Sequence, residues 1–255
     1  MVFLIGLCYY FREKLFMMMI DLHTHTIASG HGSKDTLMDM AIAAAARKMQ
    51  VLGISDHGPA MLNAAKSSYF RSLRQAARIR NGVRFLYGAE LSILSEDGDL
   101  DLSDEILSGL DYAIASLHGC GMKKDRNAAR NTKAYIAAMK NPKVCIIGHP
   151  DDTAFPYDAE AVVLAAKENH VLLELNNASL TSLNYRGDSR PMDEHLLRLC
   201  MKYGVPVIIG SDSHGTAHIG EDSLARALLE ELSFPEDMIA NDRPALLKGY
   251  LPLLP

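Results

Sequence analysis

Apolar runs typical of buried strands recur along the chain at Ile20–Leu22, Val51–Ser55, Val83–Gly88, Tyr112–Ser116, Val144–Gly148, Val171–Leu175 and Val207–Gly210. Segments of helical composition alternate with them. Thr36 and Asp39 are spaced as a capping pair before an alanine-rich stretch that reaches about Met49. A helix over Tyr69–Arg80 is predicted to stop at Asn81-Gly82, read as a C-cap signal. Ala128–Met139 forms the next helix, stopped by Asn141-Pro142. Asp158 caps one that runs to about Asn169, Pro191 opens one that ends near Gly204, and a last helix covers about Ser223–Leu232. Seven strands alternating with helices predict an α/β fold, a parallel sheet wrapped by helices. The acidic stretch between Glu96 and Glu105 reads as a solvated loop leading into a short helix.

At 255 residues and 48% hydrophobic, the chain can bury a large core in one α/β barrel domain, expected over residues 18–255. Residues 1–17 read as an N-terminal extension of uncertain role. Its apolar part precedes Arg12, Glu13 and Lys14, the reverse of a signal peptide's order, and is too short to span a bilayer. The apolar C-terminus is expected to pack on the barrel. The formal charge of −5 is spread over both signs without a long basic run, so no nucleic-acid or membrane partner is expected. Cysteines at 8, 120, 145 and 200 are far apart and form no C-x-x-C pair, so neither a disulfide framework nor a thiolate zinc site is indicated, and a reducing, cytoplasmic setting fits.

The compositional anomaly is ten histidines beside no tryptophan. Seven of them fall just after the apolar runs. His23 and His25, two apart, can face one ion from the same side of a strand. His31 follows closely. The later runs end at His57, Glu90, His118, His149, and Asp212 with His214. In a β/α barrel the C-terminal strand ends converge on one mouth, so these nine residues would meet there. His170 and His195 lie on helical segments and read as structural; His218 is merely near the site. Imidazoles with a few carboxylates and no thiolate suit zinc, manganese or iron rather than calcium or magnesium. Nine candidates exceed what one tetrahedral ion takes, whereas a carboxylate-bridged cluster of two or three accommodates them.

The ordered motifs DLHTHT, SDHG, GAE, SLHG, GHP and GSDSH resemble the PHP (polymerase and histidinol phosphatase) superfamily, from Ile20 to about Asp222. NNASL, followed by Arg186-Gly187-Asp188-Ser189, is most similar to the YcdX-type phosphatases of that superfamily. The resemblance implies a distorted seven-stranded (β/α) TIM-like barrel with three divalent transition-metal ions, zinc first, with manganese or iron as alternatives. It also implies the ligands: His23, His25, Glu90 and Asp212 for one ion; His31, His57 and His214 for a second; Glu90, His118 and His149 for a third, Glu90 bridging.

The expected reaction is hydrolysis of a phosphate monoester, a small phosphorylated metabolite, by a hydroxide bridging two ions. Arg186 is the candidate phosphate clamp because its guanidinium fork matches phosphate oxygens, with Arg190 and Lys34 behind it. Either Asp212 or a metal-bound water could protonate the leaving group. Residues 58–68, 120–127 and 178–190 are the expected substrate walls. The rival readings are an amidohydrolase-like hydrolase, a histidinol phosphatase, a nuclease-type phosphoesterase, a polymerase-associated domain, and a non-catalytic metal-binding protein. Against the amidohydrolase, the fourth strand end carries His118 where a lysine is usual. Against the polymerase domain, no polymerase is fused. Oligomeric state is not legible.

Overall fold

The computed structural model of the chain describes residues 20–124, 126–182 and 185–251. The expected extension over residues 1–17 lies outside them. The strands are β1 (Ile20–Asp21), β2 (Thr24–His25), β3 (Val51–Ile54), β4 (Ile79–Arg80), β5 (Val83–Tyr87), β6 (Glu90–Ser92), β7 (Ala113–Ser116), β8 (Val144–Ile147), β9 (Leu172–Asn176), β10 (Val207–Gly210) and β11 (Ser213–His214). The helices are α1 (Leu37–Ala46), α2 (Ser67–Leu73), α3 (Asp104–Leu107), α4 (Ala128–Ala138), α5 (Ala159–Asn169), α6 (Arg190–Tyr203), α7 (Ser223–Glu231) and α8 (Pro244–Tyr250).

Parallel ladders in the orders β1-β3-β5 and β6-β7-β8-β9-β10 make two arcs. Two seams join them. At one, the chain breaks between β5 and β6, and His57 bridges Glu90 in parallel while the Gly58 amide donates to the Glu90 carbonyl. At the other, β2 pairs with β11, aligning His25 with His214. Counted with β1/β2, β5/β6 and β10/β11 each as one broken strand, seven positions run round a TIM-like barrel. Every residue of β3, β7, β8, β9 and β10 is buried. Such strands read as continuous apolar runs because both faces are covered, which made them visible in the sequence.

Local signals set most helix ends. Thr36 and Asp39 form the expected capping box, Asp158 accepts from the Ala161 amide, and Gly204 closes α6 in the left-handed conformation. The expected helix over Tyr69–Arg80 is corrected. α2 ends at Leu73, and Ile79–Arg80 pairs antiparallel with β5 across Asn81-Gly82. Both turn residues have positive φ, 49° and 80°, so Asn-Gly acts as a hairpin turn rather than a helix cap. The acidic segment does enter the short helix α3, but Asp101 is not merely solvated: it accepts from the amides of Ala60 and Ser92 and ties the loop after β3 to the end of β6. The C-terminal expectation holds as far as Leu251, since Leu247 and Leu251 pack with Ile20, Val51 and Ile208. Cys120, Cys145 and Cys200 are free thiols. Among the described residues, no helix is long and apolar enough to cross a membrane.

Candidate metal centre

The broken strands matter because each break turns side chains inward at the same end. β2 delivers His25 beside His214 of β11, and β6 begins with Glu90. Two of the residues adopt strained backbone conformations, His149 at φ 27° and Asp212 at φ 52°. Left-handed φ at a non-glycine residue costs on the order of 1–3 kcal/mol and concentrates at functional sites.

All nine expected residues come together. His23, His25, His57, Glu90, His118, His149 and Asp212 are buried, His214 is half-buried, and His31 is exposed at the rim. Glu90 is the hub. Its Oε2 lies 2.7 Å from His57 Nδ1, 3.5 Å from His23 Nε2 and 3.6 Å from His25 Nε2. Its Oε1 lies 2.7 Å from His149 Nε2 and 3.2 Å from His118 Nε2, and accepts from Ser116 Oγ. Asp212 Oδ1 is 3.2 Å from His25 Nε2 and 3.6 Å from His23 Nε2. The His31 ring stacks 4.9 Å from that of His57 and lies 5.0 Å from that of His214. Three groupings bring ligand atoms within 4.8 Å of one another: His23, His25 and Asp212; His25, His57 and His214; and His57, Glu90 and His118.

These atoms suit cations better than they suit one another. His23 Nε2, His25 Nε2, His57 Nδ1, His214 Nε2 and Glu90 Oε2 are buried without a well-directed hydrogen bond. A buried polar atom so placed costs free energy unless something fills the space its lone pair faces. Meanwhile the opposite ring nitrogens are held. Ser29 Oγ lies 2.9 Å from His25 Nδ1, Ser92 Oγ 3.0 Å from His118 Nδ1, the Asp212 carbonyl 3.1 Å from His214 Nδ1, and Glu174 Oε1 2.6 Å from His23 Nδ1. Ring nitrogens fixed on one side and bare on the other are the arrangement of metal-binding imidazoles. The residues present therefore fit a group of divalent cations.

The electrostatics agree. Burial alone would raise the Glu90 carboxyl, but His57, His118 and His23 hold it well below the usual range. Burial opposes the Asp212 charge too, and His23 and Arg186 overcome it to keep that carboxyl well below its ordinary value. His25 is pushed the other way, well below the usual imidazole value, by burial and by His214 and His57.

Arg186 is buried under the site. Its Nη2 donates to Asp212 Oδ2 at 2.6 Å and its Nη1 to Ser179 Oγ at 2.9 Å. Arg190 instead pairs with Glu194 and Glu231 on the surface. His170 stacks on Tyr250, a packing contact that fits the structural reading. Sequence reasoning missed Glu174, Ser29, Ser92 and Asp56, which accepts from Thr26, Ser29 and Tyr69. A signal for Glu174 was available: a carboxylate inside the otherwise apolar run Val171–Leu175 needs a buried partner.

An α/β barrel carrying a histidine-rich centre at its strand ends defines the class, a metal-binding barrel of the hydrolase type. The PHP domain family model matches residues 21–179, and the chain belongs to that family. A probable phosphatase of Clostridium novyi is 39% identical over 232 residues, covering 91% of this chain and 93% of its own. A probable phosphatase of Acetivibrio thermocellus is 40% identical over 232 residues, 91% and 94%. Among solved structures, histidinol phosphate phosphatase of Lactococcus lactis, determined with zinc, L-histidinol and phosphate, superposes with a TM-score of 0.60 at 19% identity. It covers 85% of this chain and 94% of that one, a likeness of fold.

Proposed function

We propose that the chain hydrolyses phosphate monoesters of small metabolites at a centre of three divalent cations, zinc first. It is a metal-dependent phosphatase. The observation that carries this reading is the set of bare, buried ligand atoms converging on Glu90 and Asp212, in a chain whose relatives are named phosphatases. His23, His25, Glu90 and Asp212 would hold one ion, His31, His57 and His214 a second, and Glu90, His118 and His149 a third. When bound, such cations act as Lewis acids toward water and the phosphoryl oxygens.

The chain's own residues supply the rest. Asp212, held ionised by His23 and Arg186, carries no proton for the leaving group and can accept a hydrogen bond that orients the attacking water. Arg186 fixes a positive charge against Asp212, beside the place where a phosphoryl group would sit. Tyr185 has an exposed ring and a hydroxyl that accepts from Arg186 Nη2, so the loop after β9 contributes a wall of the mouth. Zinc stoichiometry and p-nitrophenyl phosphate turnover of the wild type, His23→Ala, Glu90→Gln and Asp212→Asn test the reading. Metal in the wild type and loss of turnover in all three are expected. A metal-free wild-type protein, or activity that survives all three changes, overturns it. Hydrolysis of cyclic amides in place of phosphate esters would favour the amidohydrolase-like alternative.

A further inference from the structure

Glu174 sits inside the barrel on β9, only 2% exposed, and belongs to none of the three ligand groupings. Its Oε1 lies 2.6 Å from His23 Nδ1. Its Oε2 accepts from the backbone amide of His149 at 2.7 Å and from Asn176 Nδ2 at 3.1 Å. That same Asn176 amide nitrogen donates to Asp212 Oδ2 at 3.3 Å. One carboxylate therefore reaches residues on three strand ends, and the barrel leaves room for it. Gly210 is a glycine where any Cβ would run into Glu174 Oε1.

The other site histidines are held differently. His25 and His118 meet serine hydroxyls, and His214 meets a main-chain carbonyl. Among the described residues of the centre, His23 is the histidine whose rear nitrogen meets a carboxylate lying outside the proposed ligands. Hydrogen bonds to an ionised acceptor are roughly twice as strong as neutral ones. A carboxylate behind an imidazole also fixes which nitrogen carries the proton and makes the other more basic.

We infer that Glu174 is a positioning residue: it keeps the His23 proton on Nδ1, turns Nε2 toward Asp212 and Glu90, and anchors the strained His149 backbone. This rests on the metal-centre reading. A carboxylate there would make His23 a stronger ligand and would steady His149 as a ligand of a neighbouring cation.

The test uses the full chain and zinc as the probe. Zinc stoichiometry of the wild type is measured first, and a wild type that takes up no divalent metal overturns the metal-centre reading and this inference together. With zinc bound, Glu174→Gln keeps the shape and removes the charge. Competition with a chelator should then show at least one ion held about 10–100-fold more weakly. Ser29→Ala and Ser92→Ala, which remove neutral partners, should lose less. A purely structural role would lower the unfolding midpoint of the metal-free Gln variant yet leave zinc affinity within about twofold of wild type, and that result overturns the inference. If the Gln variant does not fold, long-range ¹H–¹⁵N spectra of metal-free wild type, taken at a pH where the His23 ring is neutral and no ion dictates its tautomer, decide. His23 protonated on Nδ1 supports the assignment, and His23 protonated on Nε2 refutes it.

Discussion

Arg186 Nη2 donates to Asp212 Oδ2 at 2.6 Å, and both side chains are only 4% exposed. A guanidinium placed there has two demands on it, the charge of Asp212 and any phosphoryl group that enters. Removing one partner of a buried pair leaves the other charge uncompensated, at a cost of about 3–5 kcal/mol. Arg186→Met should therefore lose stability of that order in denaturant melts. Arg186→Lys keeps the charge but not the fork that spans Ser179 and Asp212. It should lower kcat by about tenfold to a hundredfold, through misplacement of Asp212. A rise in KM with kcat unchanged would instead mark Arg186 as a phosphate clamp alone.

Gly210 closes β10 directly against the buried carboxylate of β9. Gly210→Ala should act at a distance from its own chemistry, which is none. The added methyl runs into Glu174 Oε1 and lies 3.0 Å from His23 Cβ, so both must shift. Overpacking a tight interior costs about 1–3 kcal/mol. The variant should also bind zinc more weakly than wild type in chelator competition. Unchanged zinc affinity with lowered stability would mean that the methyl is absorbed elsewhere.

What was legible in the sequence follows from which interactions are local. The strands of the parallel arcs announced themselves because burial on both faces demands continuous apolar runs, and the capping box at Thr36 needs only two residues three apart. The candidate ligands were legible because all sit just past such runs, where a barrel places its mouth. The helix over Tyr69–Arg80 failed because Asn81-Gly82 serves a C-cap and a hairpin equally well, and only pairing of Ile79 with Arg84 decides between them. Glu174 and Asp56 act through partners 151 and 30 residues away; the apolar run around Glu174 signals that it needs a buried partner, but no local pattern says which one. Arg186 was found as a cation near the site, but its contact with Asp212 spans 26 residues and was invisible.

His31 differs from the other candidate ligands in lying at the rim, beside the rings of His57 and His214. It contributes little to the core, so His31→Ala should fold and melt like the wild type. Its effect should be confined to the outer ion: zinc content by elemental analysis falls by about one per chain after dialysis, while the more deeply held ions remain. Loss of all bound zinc would show that the ions bind as one cooperative unit, and unchanged stoichiometry would remove His31 from the ligand set.

Asp193, in the first turn of α6, is buried away from the ligand groupings. Burial penalises its charge and the carboxylate of Asp151 repels it, so its carboxyl is raised well above the ordinary value, with the Ser189 hydroxyl offsetting only part. A carboxyl raised on folding binds its proton more tightly in the native chain than in the unfolded one. Stability therefore falls as pH rises from the ordinary carboxyl range through the native value, by about 1.4 kcal/mol for each unit of the shift. Above the native value the whole penalty is in force. Asp193→Asn, neutral and nearly the same shape, removes it. The variant should melt higher than wild type at pH 8, and the gain should shrink on acidification and vanish near pH 4, where the unfolded carboxyl also takes up its proton. Parallel melts of the two proteins across that range measure the difference. A gain of the same size at every pH would trace it to packing, and a loss at pH 8 would mean that the Asp193 charge is compensated in the folded chain.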